Sequence, residues 1–158
     1  MSAFSDVIDR LPAREFAAGA VLIEQGTHAD QLYFLIDGHV EVLKDGTLIA
    51  DVSERGAIFG EMSILLNVAH TATVRVCTPS SFRVAGASLE FLRGNPDVAL
   101  YVAEILARRL DSLNRYLVDV KSQFKDFDDH LHMLDGVLDT LMTKHPRQIE
   151  RRPVDDQQ

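Results

Sequence analysis

Short runs of β-branched and aromatic residues, separated by turn signals, occupy residues 15–85 and restrict the possible folds more than any other feature. The turn signals are Glu24-Gln25-Gly26, Asp37-Gly38, Asp45-Gly46 and Arg55-Gly56. Many short strands with frequent turns are typical of antiparallel rolls and sandwiches, whereas parallel α/β folds alternate strands with helices. We therefore predict a mainly β fold with added α-helices, built on a jelly-roll-like antiparallel β-roll. The Asp45-Gly46 step is the clearest hairpin turn.

Short helices are predicted on both sides of the roll. Residues 2–11 have an amphipathic pattern. Residues 88–93 begin with Ser88, a residue type that favours helix N-caps, and are followed by Gly94, a common C-terminal stop. We assign residues 1–94 to one domain, which comprises the β-roll and its short helices.

An apolar repeat predicts a long helix over residues 95–143. Its members recur at alternating spacings of four and three, at Leu106, Leu110, Leu113, Leu117, Val120, Phe124, Phe127, Leu131, Leu134, Leu138 and Leu141. Such heptads are typical of a coiled coil, and beyond about Leu117 no other segment is left to cover the stripe. We therefore predict a homodimer through this helix. A parallel pairing would place His130 opposite Asp135 of the second chain.

The weak points of this helix leave an alternative open. Gly136 has a low helix propensity, and the acidic pair Asp128 and Asp129 and two seam phenylalanines depart from the ideal pattern. A helix that breaks or folds back on its own chain is therefore the second possibility. Residues 144–158 are polar, contain two prolines and are predicted to be disordered.

Composition excludes several classes of function. The formal net charge of −8 argues against general binding to nucleic acid or to anionic membranes, because both require basic surface, although a small anion can still be held by local groups. A single cysteine, Cys77, excludes an intramolecular disulfide and a cluster with four protein thiolates. We find no signal peptide and no apolar run of about 18 residues, so we expect a cytoplasmic protein with no membrane contact.

The candidate binding site lies in residues 58–76, which we call the cassette. Gly60 allows a close backbone approach, and the N–H groups at the start of the turn after Glu61 can receive an anion. The Glu61 carboxylate is an acceptor suited to a sugar hydroxyl, while His70 and Thr71 offer donors to a phosphate.

The cassette resembles the phosphate-binding segment of cyclic-nucleotide-binding domains, as in the catabolite activator protein family and the regulatory subunit of protein kinase A. Residues 22–26 and 31–42 resemble the first strands of the same roll, and residues 107–110 resemble the start of the long helix that follows it. The similarity covers about residues 14–117. It implies a ligand-binding set of Gly60, Glu61, Met62, Ser63, His70, Thr71, Ala72 and Asn114. Asn114 lies at the position where, in that family, the long helix contacts the base of the nucleotide.

One position departs from the family pattern, since His70 stands where those domains usually have arginine. Arginine would meet a phosphodiester with a permanent charge and a bidentate fork, whereas imidazole is mostly neutral at pH 7. Losing a charge-assisted hydrogen bond costs roughly 1.5–3 kcal/mol, so affinity could fall by about tenfold to a hundredfold. The cassette is therefore either a weakened, pH-dependent anion site or a structural element without a ligand.

Two functional hypotheses follow. The first is a non-enzymatic cytoplasmic sensor that binds a cyclic nucleotide, or a related small phosphorylated ligand, and signals through its dimeric helix to an unknown protein partner. The second is a ligand-free dimeric scaffold for protein interaction. Neither hypothesis includes catalytic residues, a metal site or a cofactor other than the possible nucleotide. Direct DNA binding is not expected, because no helix-turn-helix follows the long helix in this sequence.

Overall fold

The computed structural model describes residues 3–124 and 128–143, which fall into two compact units, Met1–Ile105 and Leu106–Gln158. The elements of the first unit, in chain order, are α1 (Ala3–Asp9), β1 (Ala13–Phe16), β2 (Val21–Ile23), β3 (Gln31–Lys44), β4 (Thr47–Val52), β5 (Ile58–Phe59), α2 (Glu61–Leu66), β6 (Thr73–Gly86) and α3 (Ser88–Gly94). Helix α4 (Pro96–Gln123) begins in the first unit and continues into the second, which also contains α5 (Asp128–Thr143).

The six strands form one antiparallel sheet, so the predicted β-roll is confirmed. The strand order is β1-β6-β3-β4, with β2 also paired to β6 and β5 to β3. The long strands β3 and β6 pair along most of their length. Register shifts between Leu35 and Val40 interrupt this pairing and bend the sheet.

The Asp45-Gly46 hairpin is confirmed, whereas the turn predicted at Asp37-Gly38 is wrong. Asp45 and Gly46 both have positive φ, 51° and 77°, as a two-residue turn between β3 and β4 requires. Gly38 lies inside β3 with φ 120°, and a Cβ there would be 2.0 Å from the Ser80 hydroxyl oxygen. Gly38 therefore allows a bulge in β3 opposite β6. The strand continues through this position, whereas a turn would have ended it.

The core of the roll is built around Phe82. Its ring makes edge contacts with Phe16, Tyr33 and Phe59 at centroid distances of 5.7, 6.2 and 6.3 Å. The buried apolar cluster contains Leu22, Ile23, Tyr33, Leu35, Val40, Phe59, Val74, Val76, Phe82 and Val84. This cluster fixes the strands that lead into and out of the cassette.

The first turns of α4 contact the roll through Tyr101. Its hydroxyl donates to the Gly56 carbonyl at 2.9 Å, and its ring packs on Phe4 of α1 at 4.0 Å. A Cβ at Gly56 would lie 2.6 Å from the same hydroxyl oxygen, so this approach requires glycine. The early part of α4 therefore packs on the first unit of the protein.

A single helix over residues 95–143 is wrong. Helix α4 ends at Gln123, α5 begins at Asp128, and the Lys121 ammonium forms an ion pair with the Asp135 carboxylate. In one continuous helix these residues would be about 21 Å apart, at 1.5 Å per residue. The chain therefore folds back as a helical hairpin, which was the alternative left open.

Two of the weak points named from the sequence lie at the hairpin. Asp128 and Asp129 are the first two residues of α5. The seam position Phe127, and the predicted disorder of residues 144–158, lie outside the described residues. Within the described part of the chain, no helix combines the length and the apolar content that membrane crossing requires.

Candidate ligand-binding site

The cassette begins where Gly60 turns the chain from β5 into α2. Gly60 has φ 95°, and a Cβ on it would lie 2.6 Å from the Gln31 carbonyl oxygen. Both the conformation and the space therefore require glycine at this position. The close approach places the start of α2 directly beside β3.

The far end of α2 is closed by Ser63. Its hydroxyl donates to the Val68 carbonyl at 2.6 Å, and its own carbonyl accepts the N–H of Val68 at 3.2 Å. Asn67, with φ 52°, also directs its N–H to the Ser63 carbonyl. Since the Ser63 hydroxyl proton is used within the cassette, this side chain can offer a ligand only its acceptor oxygen. Met62, also in the predicted set, is 41% exposed.

His70 is held by its main chain on the turn that follows β2. Its N–H donates to the Thr27 carbonyl at 2.9 Å, and its carbonyl accepts the Gly26 N–H at 2.8 Å. The side chain is 6% exposed, and Nε2 is buried with no hydrogen-bond partner in the described part of the protein. A buried polar atom without a partner is unusual in a folded protein.

The surroundings of His70 favour its neutral form. Burial lowers the pKa of the imidazole below its usual value of about 6.5, and the neighbouring His28 lowers it further. The Glu61 carboxylate acts in the opposite direction but does not outweigh these effects. At neutral pH the group in the arginine position is therefore an uncharged ring.

The remaining cassette residues differ in exposure. Glu61 is 4% exposed and already interacts with other groups of the protein. Thr71 is exposed and Ala72 is half-buried. They lead into β6 at Thr73, whose hydroxyl oxygen accepts the Gln25 N–H at 3.0 Å. The turn after β2, residues 25–27, is thus hydrogen-bonded to both ends of the segment from His70 to Thr73.

The structure brings most of the predicted set together in the first compact unit. Gly60, Glu61, Met62 and Ser63 form the start of α2, and the charge of Glu61 acts on the imidazole of His70. Asn114 belongs to the second unit, where its Oδ1 is buried without a hydrogen-bond partner among the described residues. Its role as a base contact stays a prediction.

Sequence reasoning missed the residues that surround the histidine. His28 influences His70, and Gly26 and Thr27 hold its main chain, yet they are more than 40 positions earlier in the chain. The Glu24-Gln25-Gly26 signal predicted a turn, but it did not predict that this turn would contact His70.

A cavity of about 330 Å³ beside α2 includes Ser63 from the predicted set, together with His28, Ala29, Asp30, Ile64, Asn67 and Leu89.

Comparison with known families identifies this arrangement. Residues 13–88 match the family model described as the cyclic nucleotide-binding domain, and the predicted resemblance is confirmed. The matched segment begins at β1 and ends at the first residue of α3. It therefore includes the whole sheet and the whole cassette.

The chain is similar in sequence to a segment of a kinase regulatory subunit and to a segment of a potassium channel. A cAMP-dependent protein kinase regulatory subunit of Schizosaccharomyces pombe is 28% identical over 99 residues, which cover 57% of this chain and 24% of that protein. The potassium channel SKOR of Arabidopsis thaliana is 41% identical over 76 residues, or 46% of this chain and 9% of the channel. The chain thus spans less than a quarter of the length of either relative.

Solved structures show the same fold. The catabolite activator protein of Thermus thermophilus is 25% identical, with a TM-score of 0.64 over 77% of this chain and 60% of that protein. A structure of cAMP-bound PfPKA-R is 24% identical, with a TM-score of 0.56 over 72% of this chain and 38% of that one. The first is an activator by name, and the second has cAMP bound.

Proposed function

We propose that this chain is a non-enzymatic cytoplasmic sensor that binds a cyclic nucleotide, or a related small phosphorylated ligand, at the cassette. The strongest support is His70, whose buried Nε2 has no partner among the described residues although its own N–H and carbonyl are both hydrogen-bonded. A phosphate oxygen would provide the missing acceptor. The family match of residues 13–88 supports the same class of ligand.

Each cassette residue then has a distinct role. His70, the Thr71 hydroxyl and the N–H groups that follow Glu61 hold the phosphate, while the Glu61 carboxylate accepts a ribose hydroxyl. Gly60 keeps the main chain close enough for these contacts. Met62, Ser63 and Ala72 shape the site around them. Asn114 contacts the base.

The bound anion must shift the protonation of His70. A phosphate beside the ring favours imidazolium, whereas burial and His28 favour the neutral ring. Binding near pH 7 is therefore coupled to proton uptake, and affinity rises as pH falls. A permanent guanidinium at this position would remove that coupling.

The second unit provides the means of signalling in this proposal. The hairpin leaves several apolar side chains exposed, namely Leu110, Leu113, Phe124, Met133 and Val137. We propose that two hairpins pair through these residues, so that residues 106–141 form a homodimer contact as a helical bundle. A ligand that changes the position of α4 would then alter a surface that an unidentified protein partner recognises.

A ligand-free scaffold remains the second candidate. The lowered pKa of His70, to which burial and then His28 contribute, weakens anion binding relative to an arginine. In such a scaffold the hydrogen bonds of the cassette serve stability alone. The dimer itself would be the interaction module.

Calorimetric titration with cyclic AMP, cyclic GMP and their linear 5′-monophosphates separates the two candidates. The sensor predicts saturable binding of at least one cyclic nucleotide that tightens in the His70→Arg variant and weakens in Glu61→Ala. His132→Arg is the matched control, because His132 is exposed in the second unit. If neither the native protein nor His70→Arg binds any nucleotide, the scaffold is the correct description.

A further inference from the structure

A second cavity, of about 100 Å³, lies between α1 and the sheet and contains no residue of the cassette set. Its apolar walls include Phe4 and Ile8 of α1 and Phe34 of β3. Two arginines also line it, Arg55 from the segment between β4 and β5, and Arg83 from β6. Apolar walls with convergent charged groups are typical of small-molecule sites.

Arg83 is incompletely satisfied in this position. It lies between Phe82 and Val84, whose side chains belong to the core, so strand alternation directs Arg83 to the opposite face. One terminal nitrogen donates to the Leu11 carbonyl at 3.0 Å. Its Nε is buried and has no hydrogen-bond partner among the described residues. A guanidinium cannot avoid this by losing its proton, because it remains charged at all ordinary pH values.

The charge of the cavity lining is opposite to that of the whole chain. Neither Arg55 nor Arg83 forms an ion pair within the part of the protein that the structure describes. Asp9 is the acidic residue of the lining, and its carboxylate accepts the Ser5 hydroxyl at 3.4 Å. Two guanidinium groups against one carboxylate leave the lining positive, although the protein has a net charge of −8.

We propose that this cavity binds a small carboxylate with a short apolar tail. The carboxylate would accept the Arg83 Nε–H and pair with the Arg55 guanidinium, a geometry that favours planar oxyanions. The tail would lie against Phe4, Ile8 and Phe34. This site is separate from the cassette set, with which it shares no residue.

The test observes Arg83 directly. Butyrate, acetate and inorganic phosphate are titrated at constant ionic strength into the ¹⁵N-labelled protein, and the arginine Nε–H resonances are followed. Butyrate is expected to shift the Arg83 signal saturably, and to bind up to about fifteenfold more tightly than acetate because its two extra methylenes are buried. Arg55→Gln should weaken butyrate binding by about tenfold or more, since a charge-assisted contact is lost. Arg93→Gln, an exposed arginine outside the cavity, should leave it unchanged.

Several results would overturn the proposal. They are an Arg83 signal that does not respond to butyrate, an affinity that Arg55→Gln leaves unchanged, and phosphate binding as tight as butyrate binding, which would mean a charge-only contact. Arg83→Gln is expected to disturb the fold because it removes the bond to Leu11. The proposal is therefore judged by the Arg83 Nε–H resonance of the native protein and by the butyrate affinity of the Arg55→Gln variant.

Discussion

The carbonyl of His70 accepts a hydrogen bond from the N–H of Gly26 at 2.8 Å, across 44 positions of the chain. Thr27 accepts the His70 N–H in return, at 2.9 Å. These two bonds fix the main chain at His70 and do not involve its imidazole. Substitutions of the ring can consequently test binding while leaving the local main chain intact.

Replacing His70 with arginine should tighten nucleotide binding and flatten its pH dependence. In the native protein, affinity should rise as pH falls from about 7.5 to 6 and continue to rise below that, because the free ring has a pKa below its usual value. The gain from arginine should be about tenfold to a hundredfold near pH 7. Calorimetry at several pH values measures both effects. Tight, pH-independent binding by the native protein would contradict the role given to His70.

The ligand-free protein should lose stability as pH falls below about 6.5. Because burial lowers the pKa of His70 in the folded state, the unfolded chain takes up its proton first, and acid favours unfolding. Urea unfolding at pH 7.5 and 5.5 measures this loss, which should be smaller in His70→Gln. His132→Gln is the control. An equal loss in all three proteins would show that His70 does not contribute.

Replacing Gly60 with alanine should destabilise the fold by more than about 1 kcal/mol, because φ is positive and the new Cβ would meet the Gln31 carbonyl. Gly86→Ala is the matched control, since Gly86 also lies close to the start of a helix but a Cβ there would have no other atom within 4 Å. The free energy of unfolding in urea compares the two. A cost for Gly60→Ala no larger than that for Gly86→Ala would argue against the close approach.

Charges on the exposed face of the hairpin should prevent dimer formation. Leu110→Asp combined with Leu113→Asp should yield monomers at micromolar concentration, because burying unpaired carboxylates at a contact is costly. Light scattering measures the mass. Ser112→Asp with Ser122→Asp adds the same charge at exposed polar positions of the helix and should leave the dimer intact. A monomeric native protein would remove this part of the proposal.

The fold was predictable where the signal is local. Asp45 and Gly46 need only their own dihedral angles to form a hairpin, and the sequence identifies them. Asp37 and Gly38 have the same residue types, yet the contact of Gly38 with Ser80 on another strand makes them a bulge. A local pattern cannot reveal that contact.

The same limit applies to the helices and to the site. An apolar stripe indicates that something covers it, but the stripe is identical for a coiled coil and for a hairpin closed by Lys121 and Asp135. Within the cassette, Glu61 and His70 are only nine positions apart in the chain, and the carboxylate charge of Glu61 acts on the imidazole of His70. His28 was not predicted, because its neighbourhood depends on how a distant turn packs.

The hydrogen bond from Tyr101 to Gly56 has a mechanical consequence. Gly56 is four positions before Gly60, and the short strand β5 between them is paired to β3. A displacement of the first turns of α4 must therefore either break this bond or pull on the strand that enters the binding turn. Tyr101→Phe would remove this hydrogen bond while keeping the ring on Phe4. The variant would therefore uncouple movements of α4 from the binding turn.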